Sequence, residues 1–329
     1  MVRQILKEYN VKGGRMDQHF LTETVVLDEI VAAASLEPSD IVLEIGGGIG
    51  NLSERIAPRV LKLIIIELDL RMVDILKSRL SVFSNIEIIA GNVIDTDFDK
   101  IPFNKVVANL PYSISSDITL KLLQSDFDEA VLMYQYEFAR RLTAKAGGKE
   151  YGRLSVHVQY KTEASMITKV MKGAFEPVPK VDSAVIRLIR RPVPYPVLDE
   201  DFFFSVTKAL FSQRRKQIKN ALLGSHLESE LPNLKKVLET MSLLEFAPMD
   251  DGAGESDSAV GTDADGTDAA GTDADGTDAD GTEMQVSSKL KGKTIGDILK
   301  MRVENLSPFD IAHFSDLLYS EYEDYYAGM

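Results

Sequence analysis

The sequence predicts an α/β fold, a Rossmann-like parallel sheet covered by helices, followed by a smaller all-α domain. Three observations predict it. Short apolar runs alternate with helix-period segments between Asp40 and Arg190. A glycine-rich turn, Gly46-Gly47-Gly48-Ile49-Gly50, follows the first of those runs. Prolines at 192, 194 and 196 then close the alternating region, and only helix-period segments follow.

In chain order, Thr22 is expected to cap a helix carrying Val25, Val26, Ile30 and Val31, with Glu37-Pro38-Ser39 ending it. The runs at 41–45, 63–66, 86–89, 106–108, 130–134 and 184–188 read as strands. Segments 51–57, 70–80 and 116–123 read as the helices between them. Alternating prolines favour an extended, semi-rigid connector and forbid a helix, so 192–196 is read as the linker between domains 1–191 and 197–329. Beyond it, 202–211, 214–223, 234–241, 295–301 and 307–322 read as helices.

The second domain is interrupted at 249–288, where Gly261, Gly266, Gly271, Gly276 and Gly281 recur every five residues among Thr, Asp and Ala. Such a segment has almost nothing to bury and is expected to be a disordered acidic linker. Calcium binding is the alternative, but no Glu stands at an EF-hand closing position. The segment also explains the net charge of −14, which argues against a nucleic-acid partner at first sight. It holds twelve acidic residues and no basic ones between Met249 and Gln285; without it, 37 basic residues face 39 acidic ones. A near-neutral body can carry a basic face. Arg214, Arg215, Lys216 and Lys219 form one candidate cluster, and Lys7, Lys12 and Arg15 another.

The chain contains no cysteine, which excludes disulfides and thiolate metal sites, and His19, His157, His226 and His313 lack metal-ligand spacing. No apolar run is long enough to span a bilayer and no signal-peptide core is evident, so a cytoplasmic, metal-free protein is expected.

The glycine turn is the first candidate site. Gly46, Gly48 and Gly50 allow a tight turn and close approach of a ligand to the backbone. A dinucleotide fingerprint needs its third glycine where this chain has Asn51, so the pattern suits S-adenosylmethionine better than NAD. Glu67 ends the second strand, where a carboxylate can accept both ribose hydroxyls, and Gly91-Asn92 at the end of the third suits adenine contacts.

The second candidate site is Asn109-Leu110-Pro111-Tyr112, at the end of the fourth strand. An exocyclic adenine amine is a weak nucleophile because its lone pair is delocalised into the ring. The Asn109 amide oxygen and the Leu110 carbonyl can accept its two hydrogens and draw the nitrogen toward sp³ geometry. Pro111 stiffens the carbonyl, and Tyr112 offers a face for an extruded base. Alone, the same tetrad also reads as a strand-ending turn with a buried Tyr.

Together these motifs resemble the ribosomal RNA small-subunit adenine dimethyltransferases of the kasugamycin-resistance type, most closely their archaeal-type members. Gln18-His19-Phe20-Leu21 resembles the family's N-terminal donor-binding motif, and Glu44, Gly46, Gly48, Glu67, Asn92 and Asn109 fall on its later ones. Tyr151-Gly152-Arg153-Leu154-Ser155 and the segment from Phe175 to Ser183 match two more, so the likeness covers roughly 15–248 and 290–318. The resemblance implies a seven-stranded class I methyltransferase sheet using S-adenosylmethionine and releasing S-adenosylhomocysteine. It also implies dimethylation of two adjacent adenines near the 3′ end of small-subunit rRNA, within a pre-ribosomal particle. Phe175 would stack on the base opposite Tyr112, and a helix with Phe211, Arg214, Arg215 and Lys216 would face RNA. On the residues alone, Phe175 also reads as a core residue and the basic cluster as a solvated helix face.

Two departures stand out. Asn92 occupies a position where the family usually has Asp, and an amide accepts less strongly than a carboxylate. The acidic repeat is not a family feature. Related targets, large-subunit rRNA or DNA, and a non-catalytic assembly factor remain as alternatives; a monomer is expected.

Overall fold

A computed structural model describes residues 2–11, 13, 18–246, 290 and 292–327. The acidic repeat at 249–288, Lys12 and Arg15 lie outside the described residues. The elements run α1 (Val2–Glu8), β1 (Phe20–Leu21), α2 (Thr24–Ala33), β2 (Ile41–Ile45), α3 (Ser53–Ile56), β3 (Lys62–Glu67), α4 (Leu70–Arg79), β4 (Ile86–Ala90), β5 (Lys105–Asn109) and α5 (Ser115–Gln124). Then follow β6 (Glu129–Gln135), α6 (Tyr136–Leu142), α7 (Arg153–Lys161), β7 (Thr162–Val170), β8 (Phe175–Glu176) and β9 (Ser183–Arg190). The C-terminal part holds α8 (Glu200–Ser212), α9 (Ile218–Leu223), α10 (His226–Glu230), α11 (Leu234–Met241), α12 (Ile295–Leu299) and α13 (Pro308–Ala327).

Seven strands form one sheet in the order β4-β3-β2-β5-β6-β9-β7. Alternate residues on each strand face opposite sides, as the period of two requires. Leu43, Ile45, Ile64, Ile66, Val106 and Ala108 pack against Ile118 and Leu122 of α5, Ala139 of α6 and Val158 of α7. Val42, Leu63, Ile65, Val107 and Val131 pack against Leu27 and Ile30 of α2, Ile56 of α3 and Leu76 of α4. The strand order reverses at β2. Pairing between β2 and β5 covers only Val42 with Lys105 and Leu43 with Val106, so no pairing holds the carboxyl ends of the two strands together. A crevice at that switch point is the usual ligand position in an open α/β sheet.

The structure corrects several expectations. The sheet is mixed: β9 runs antiparallel to both β6 and β7, because β7 returns directly to β9 without a crossover helix. Thr22 does not cap α2, whose N-cap is Glu23; its hydroxyl instead donates to the Ala174 carbonyl at 2.8 Å. Residues 214–216 are not helical. The Ile218 amide donates to the Met301 carbonyl at 2.9 Å and Gln217 pairs with Arg302, which holds the chain out of helix until α9 begins. The proline connector is docked, with Tyr195 buried against Tyr160, Phe203 and Phe309. The helical part shares its core with Tyr151, Val156 and Tyr160 at and within α7, so α7 serves both cores.

Candidate active site

The carboxyl ends of β2, β3, β4 and β5 surround a cavity of about 400 Å³. It is lined by Gln18, His19 and Leu21, by Glu44 through Gly48, by Glu67, by Gly91-Asn92, and by Asn109-Leu110-Pro111-Tyr112. The two candidate sites are therefore one crevice. A volume in this range suits a cofactor-sized ligand.

The glycine turn owes its shape to backbone that L side chains rarely adopt. Gly46, Gly48 and Gly50 have φ of +75°, +54° and +83°. Gly47, which sequence reasoning passed over, is required for another reason: a Cβ there would lie 2.6 Å from the Ile65 side chain and 3.1 Å from Leu76. Contact with β3 and α4 thus holds the turn down, and its amides are fixed internally, Gly46 to the Ile66 carbonyl at 2.8 Å and Gly50 to the Gly47 carbonyl at 2.9 Å.

Two carboxylates sit beneath the turn. Glu67 accepts from the Gly48 amide at 2.9 Å through one oxygen and from the Asp69 amide at 2.9 Å through the other. Each oxygen keeps further lone-pair capacity toward the cavity. Burial raises the Glu67 carboxyl above the ordinary range despite these bonds. Glu44 is more deeply buried and accepts from the Ser53 hydroxyl at 2.6 Å. Burial, reinforced by the Glu67 charge, pushes its carboxyl up to about 8. Neither acid has an ion-pair partner among the described residues.

Asn92 lines the cavity, but its side chain also organises its own turn. Its amide oxygen accepts from the Ile94 amide at 3.1 Å and its amide nitrogen donates to Asp95 at 2.8 Å. Gln18 donates to Asp69 at 2.8 Å, which ties the N-terminal arm to the start of α4. Sequence reasoning also missed Leu68 and Ile94, which line the cavity beside Glu67 and Asn92. Their position one or two residues past a strand-ending acid or amide was the available signal.

At the acceptor side, the Asn109 amide nitrogen donates to the His19 carbonyl at 3.2 Å, which leaves its oxygen as the free acceptor of the amide. The Leu110 side chain is buried below, while its amide donates to the Met133 carbonyl at 3.3 Å. Tyr112 hydrogen-bonds the Ser183 hydroxyl at 2.7 Å. Its ring lies nearly parallel to that of His19, with centroids 5.9 Å apart. His19 is fixed in turn by its Nδ1 against the Pro177 carbonyl at 2.8 Å.

Phe175 does not form the opposite wall. It lies in β8, paired with Leu21 of β1, and its ring is 1% exposed among Leu21, Leu27 and Val185. Period-two alternation turns Glu176 outward and sends Phe175 into the core. The basic cluster divides as well. Arg214 donates to the Lys149 and Tyr151 carbonyls at 2.8 and 3.1 Å and lies 3.7 Å from Glu304, while Lys219 lies 4.0 Å from Glu239. Arg215 and Lys216 are exposed. Among the described residues, no group of His, Asp or Glu is placed to hold a metal ion, and no helix is long and apolar enough to cross a membrane.

A seven-stranded sheet with a glycine turn, a strand-end acid and an Asn-Leu-Pro-Tyr edge at one crevice defines a class I methyltransferase. A family model described as "Ribosomal RNA adenine dimethylase" matches residues 11–250. The chain belongs to that family, and is an rRNA adenine dimethyltransferase. It is 54% identical over 241 residues to a probable ribosomal RNA small subunit methyltransferase A of Methanosarcina mazei, covering 73% of this chain and 88% of the relative. A relative of the same description from Methanococcoides burtonii is 49% identical over 239 residues, covering 72% and 87%. Among solved structures, a dimethyladenosine transferase from Plasmodium falciparum superposes with a TM-score of 0.64 at 26% identity, covering 93% of this chain and 98% of that one. The 23S rRNA methyltransferase ErmE superposes with a TM-score of 0.53 at 29% identity, covering 67% and 90%.

Proposed function

We propose that the chain transfers methyl groups from S-adenosylmethionine to the N6 amines of two adjacent adenines near the 3′ end of small-subunit rRNA, as a step in small-subunit biogenesis. The observation that carries this reading is the Asn109 amide, oriented by the His19 carbonyl at the edge of the cavity beside Tyr112. The residues present fit the donor. Two buried acids without a cationic partner among the described residues suit a ligand that bears positive charge, and Glu67 retains acceptor capacity for ribose hydroxyls. The bound donor supplies an electrophilic methyl on a sulfonium, and its transfer leaves S-adenosylhomocysteine.

The chain's own residues position the amine. The Asn109 oxygen and the Leu110 carbonyl accept its hydrogens, and Tyr112, held by Ser183 and His19, presents one ring face to the base. No strong general base is required, since the nitrogen forms the new bond with its lone pair as the carbon–sulfur bond breaks, and the resulting cationic nitrogen then releases its proton to water. The small-subunit reading is favoured over a large-subunit one by identity. The relatives described as small-subunit methyltransferases are 54% and 49% identical across 73% and 72% of the chain, whereas ErmE, a 23S rRNA methyltransferase, is 29% identical across 67%. The reading includes a monomer acting in the cytoplasm on a pre-ribosomal particle.

The test is mass spectrometry of rRNA after incubating the chain and S-adenosylmethionine with immature small subunits from a methylase-deficient strain. Large-subunit RNA and DNA are offered in parallel. Dimethyladenine in a 3′-terminal small-subunit fragment is expected. Label confined to large-subunit RNA or DNA, or absent throughout, overturns the reading. Asn109→Ala is expected to lower the rate roughly 10²–10³-fold, the usual loss when a preorganised polar contact is removed from a transition state.

A further inference from the structure

The charge cluster around Arg214 does not stand alone. The loop at 143–150, between α6 and α7, is fastened to both halves of the molecule through its backbone. On the sheet side, Gln159 of α7 donates to the Leu142 and Ala144 carbonyls at 3.1 and 2.9 Å. Ser155 donates to the Arg141 carbonyl at 2.6 Å. On the helical side, the Gly147 amide donates to the Glu304 carbonyl at 3.1 Å, and Arg214 takes the Lys149 and Tyr151 carbonyls. Backbone groups are consumed in this anchoring, and the side chains of Lys145 and Lys149 remain in solvent.

Lys145, Lys149, Arg215 and Lys216 are exposed and make no ion pair among the described residues. Arg140 and Arg141 at the end of α6 are also exposed, in pairs with Glu150 at 3.6 Å and Glu137 at 3.3 Å. Surface pairs of this kind are worth little and exchange readily for a stronger anion. Residues 136–153, 214–217 and 301–305, which these contacts bring together, hold nine basic and three acidic side chains, in a chain whose net charge is −14. The other end of this strip reaches the acceptor site. The Tyr136 amide at the start of α6 donates to the Asp182 carbonyl at 2.9 Å, and the neighbouring Ser183 holds Tyr112.

We infer that Arg140, Arg141, Lys145 and Lys149 of the catalytic domain join Arg215 and Lys216 in one RNA-phosphate track leading away from the acceptor edge. Arg214 is its brace and not one of its contacts. The inference rests on the proposed action on RNA. Its occupant is the sugar-phosphate backbone of a structured RNA, because the strip's exposed groups are cations on extended side chains, which suit phosphates and carry no base specificity. The sequence cluster at 214–219 thus supplies only the distal part of the surface.

Fluorescence anisotropy of the full chain with a labelled stem-loop RNA, titrated between 50 and 200 mM KCl without methyl donor, tests it. The double variant Lys145→Gln/Lys149→Gln is expected to bind roughly ten- to thirtyfold more weakly at 100 mM salt. The slope of log affinity against log salt is expected to flatten by roughly 1.4–1.8. Arg59→Gln/Lys77→Gln removes two exposed charges from the opposite face of the sheet and is expected to change neither. Arg214→Gln is expected to weaken binding while hydrogen exchange accelerates across 145–151; Arg215→Gln is expected to weaken binding with exchange unchanged. Wild-type affinity and slope in Lys145→Gln/Lys149→Gln overturn the track, as does an equal loss in Arg59→Gln/Lys77→Gln. Because no methylation is read, a failure of the proposed substrate would leave these slopes intact, so the two failures are distinguishable.

Discussion

The two ends of the sheet bury charge in opposite ways. At the amino ends of the strands, Lys105 lies 3.1 Å from Asp40 and 3.6 Å from Glu129, and Arg187 pairs with Glu129 as well. The remaining Lys105 protons go to the Ala34 and Ser35 carbonyls at 3.2 and 2.6 Å. Burial opposes ionisation of Asp40, but bonds from Asn104, the Glu37 amide and Lys105 outweigh it and hold the carboxyl below its usual range. At the carboxyl ends, Glu44 and Glu67 have no cationic partner among the described residues, and both are raised. A closed set of charges contributes to specifying the fold. An open set leaves the protein complementary to something it does not itself contain.

Removing the cation from the closed end is expected to have the largest effect. Lys105→Met leaves Asp40 and Glu129 buried with too little positive charge. It should cost about 3–5 kcal/mol in urea unfolding, while the folded fraction binds donor as before. A neutral outcome would show the two ends to be alike. At the open end the sign reverses: Glu67→Gln should leave stability unchanged or slightly higher but weaken S-adenosylmethionine binding roughly ten- to hundredfold by calorimetry, the range for losing a charge-assisted bond. Unchanged affinity would remove Glu67 from the donor site.

The smallest effect is a pH dependence. The Glu44 carboxyl is raised from 4.5 to about 8, so the folded state holds its proton where the unfolded chain has lost it. Its contribution to stability is complete below about 4.5 and is lost as pH climbs through about 8, with Glu67 adding in the same direction. Melting temperature should therefore fall between pH 5 and 8, and Glu44→Gln should flatten the fall. A cationic donor favours the ionised acid, so donor affinity should rise with pH over the same window in the wild type and less in Glu44→Gln. Identical profiles for the two proteins would contradict the raised carboxyl.

The crevice was legible in the sequence because both of its signals are local. A glycine turn after a buried run, and an Asn-Leu-Pro-Tyr edge after another, locate themselves once the strands are placed. The edge strand β7 was not legible. Its burial alternates, but of the exposed positions Glu163, Ser165, Ile167 and Lys169 one is apolar, and the polar alternation breaks there, at the register shift between Met166 and Thr168. Phe175 was misplaced because residue type reveals a large ring but not which side of a two-residue strand it takes. Arg214 was misread for a related reason: a cluster of charges in the sequence does not show that one member is bonded to carbonyls 63 and 65 residues away.

The small pairing of β1 with β8 joins Phe20 to Glu176 and Leu21 to Phe175. Leu21 lines the donor cavity, and Thr22 and His19 are fastened to Ala174 and Pro177. A nascent chain emerging from its first residue therefore has β2 to β5 in hand long before these partners exist. The wall of the donor pocket is among the last contacts of the catalytic domain that synthesis permits. The donor cavity is thus closed on its β1 side only when the chain has been made as far as β8.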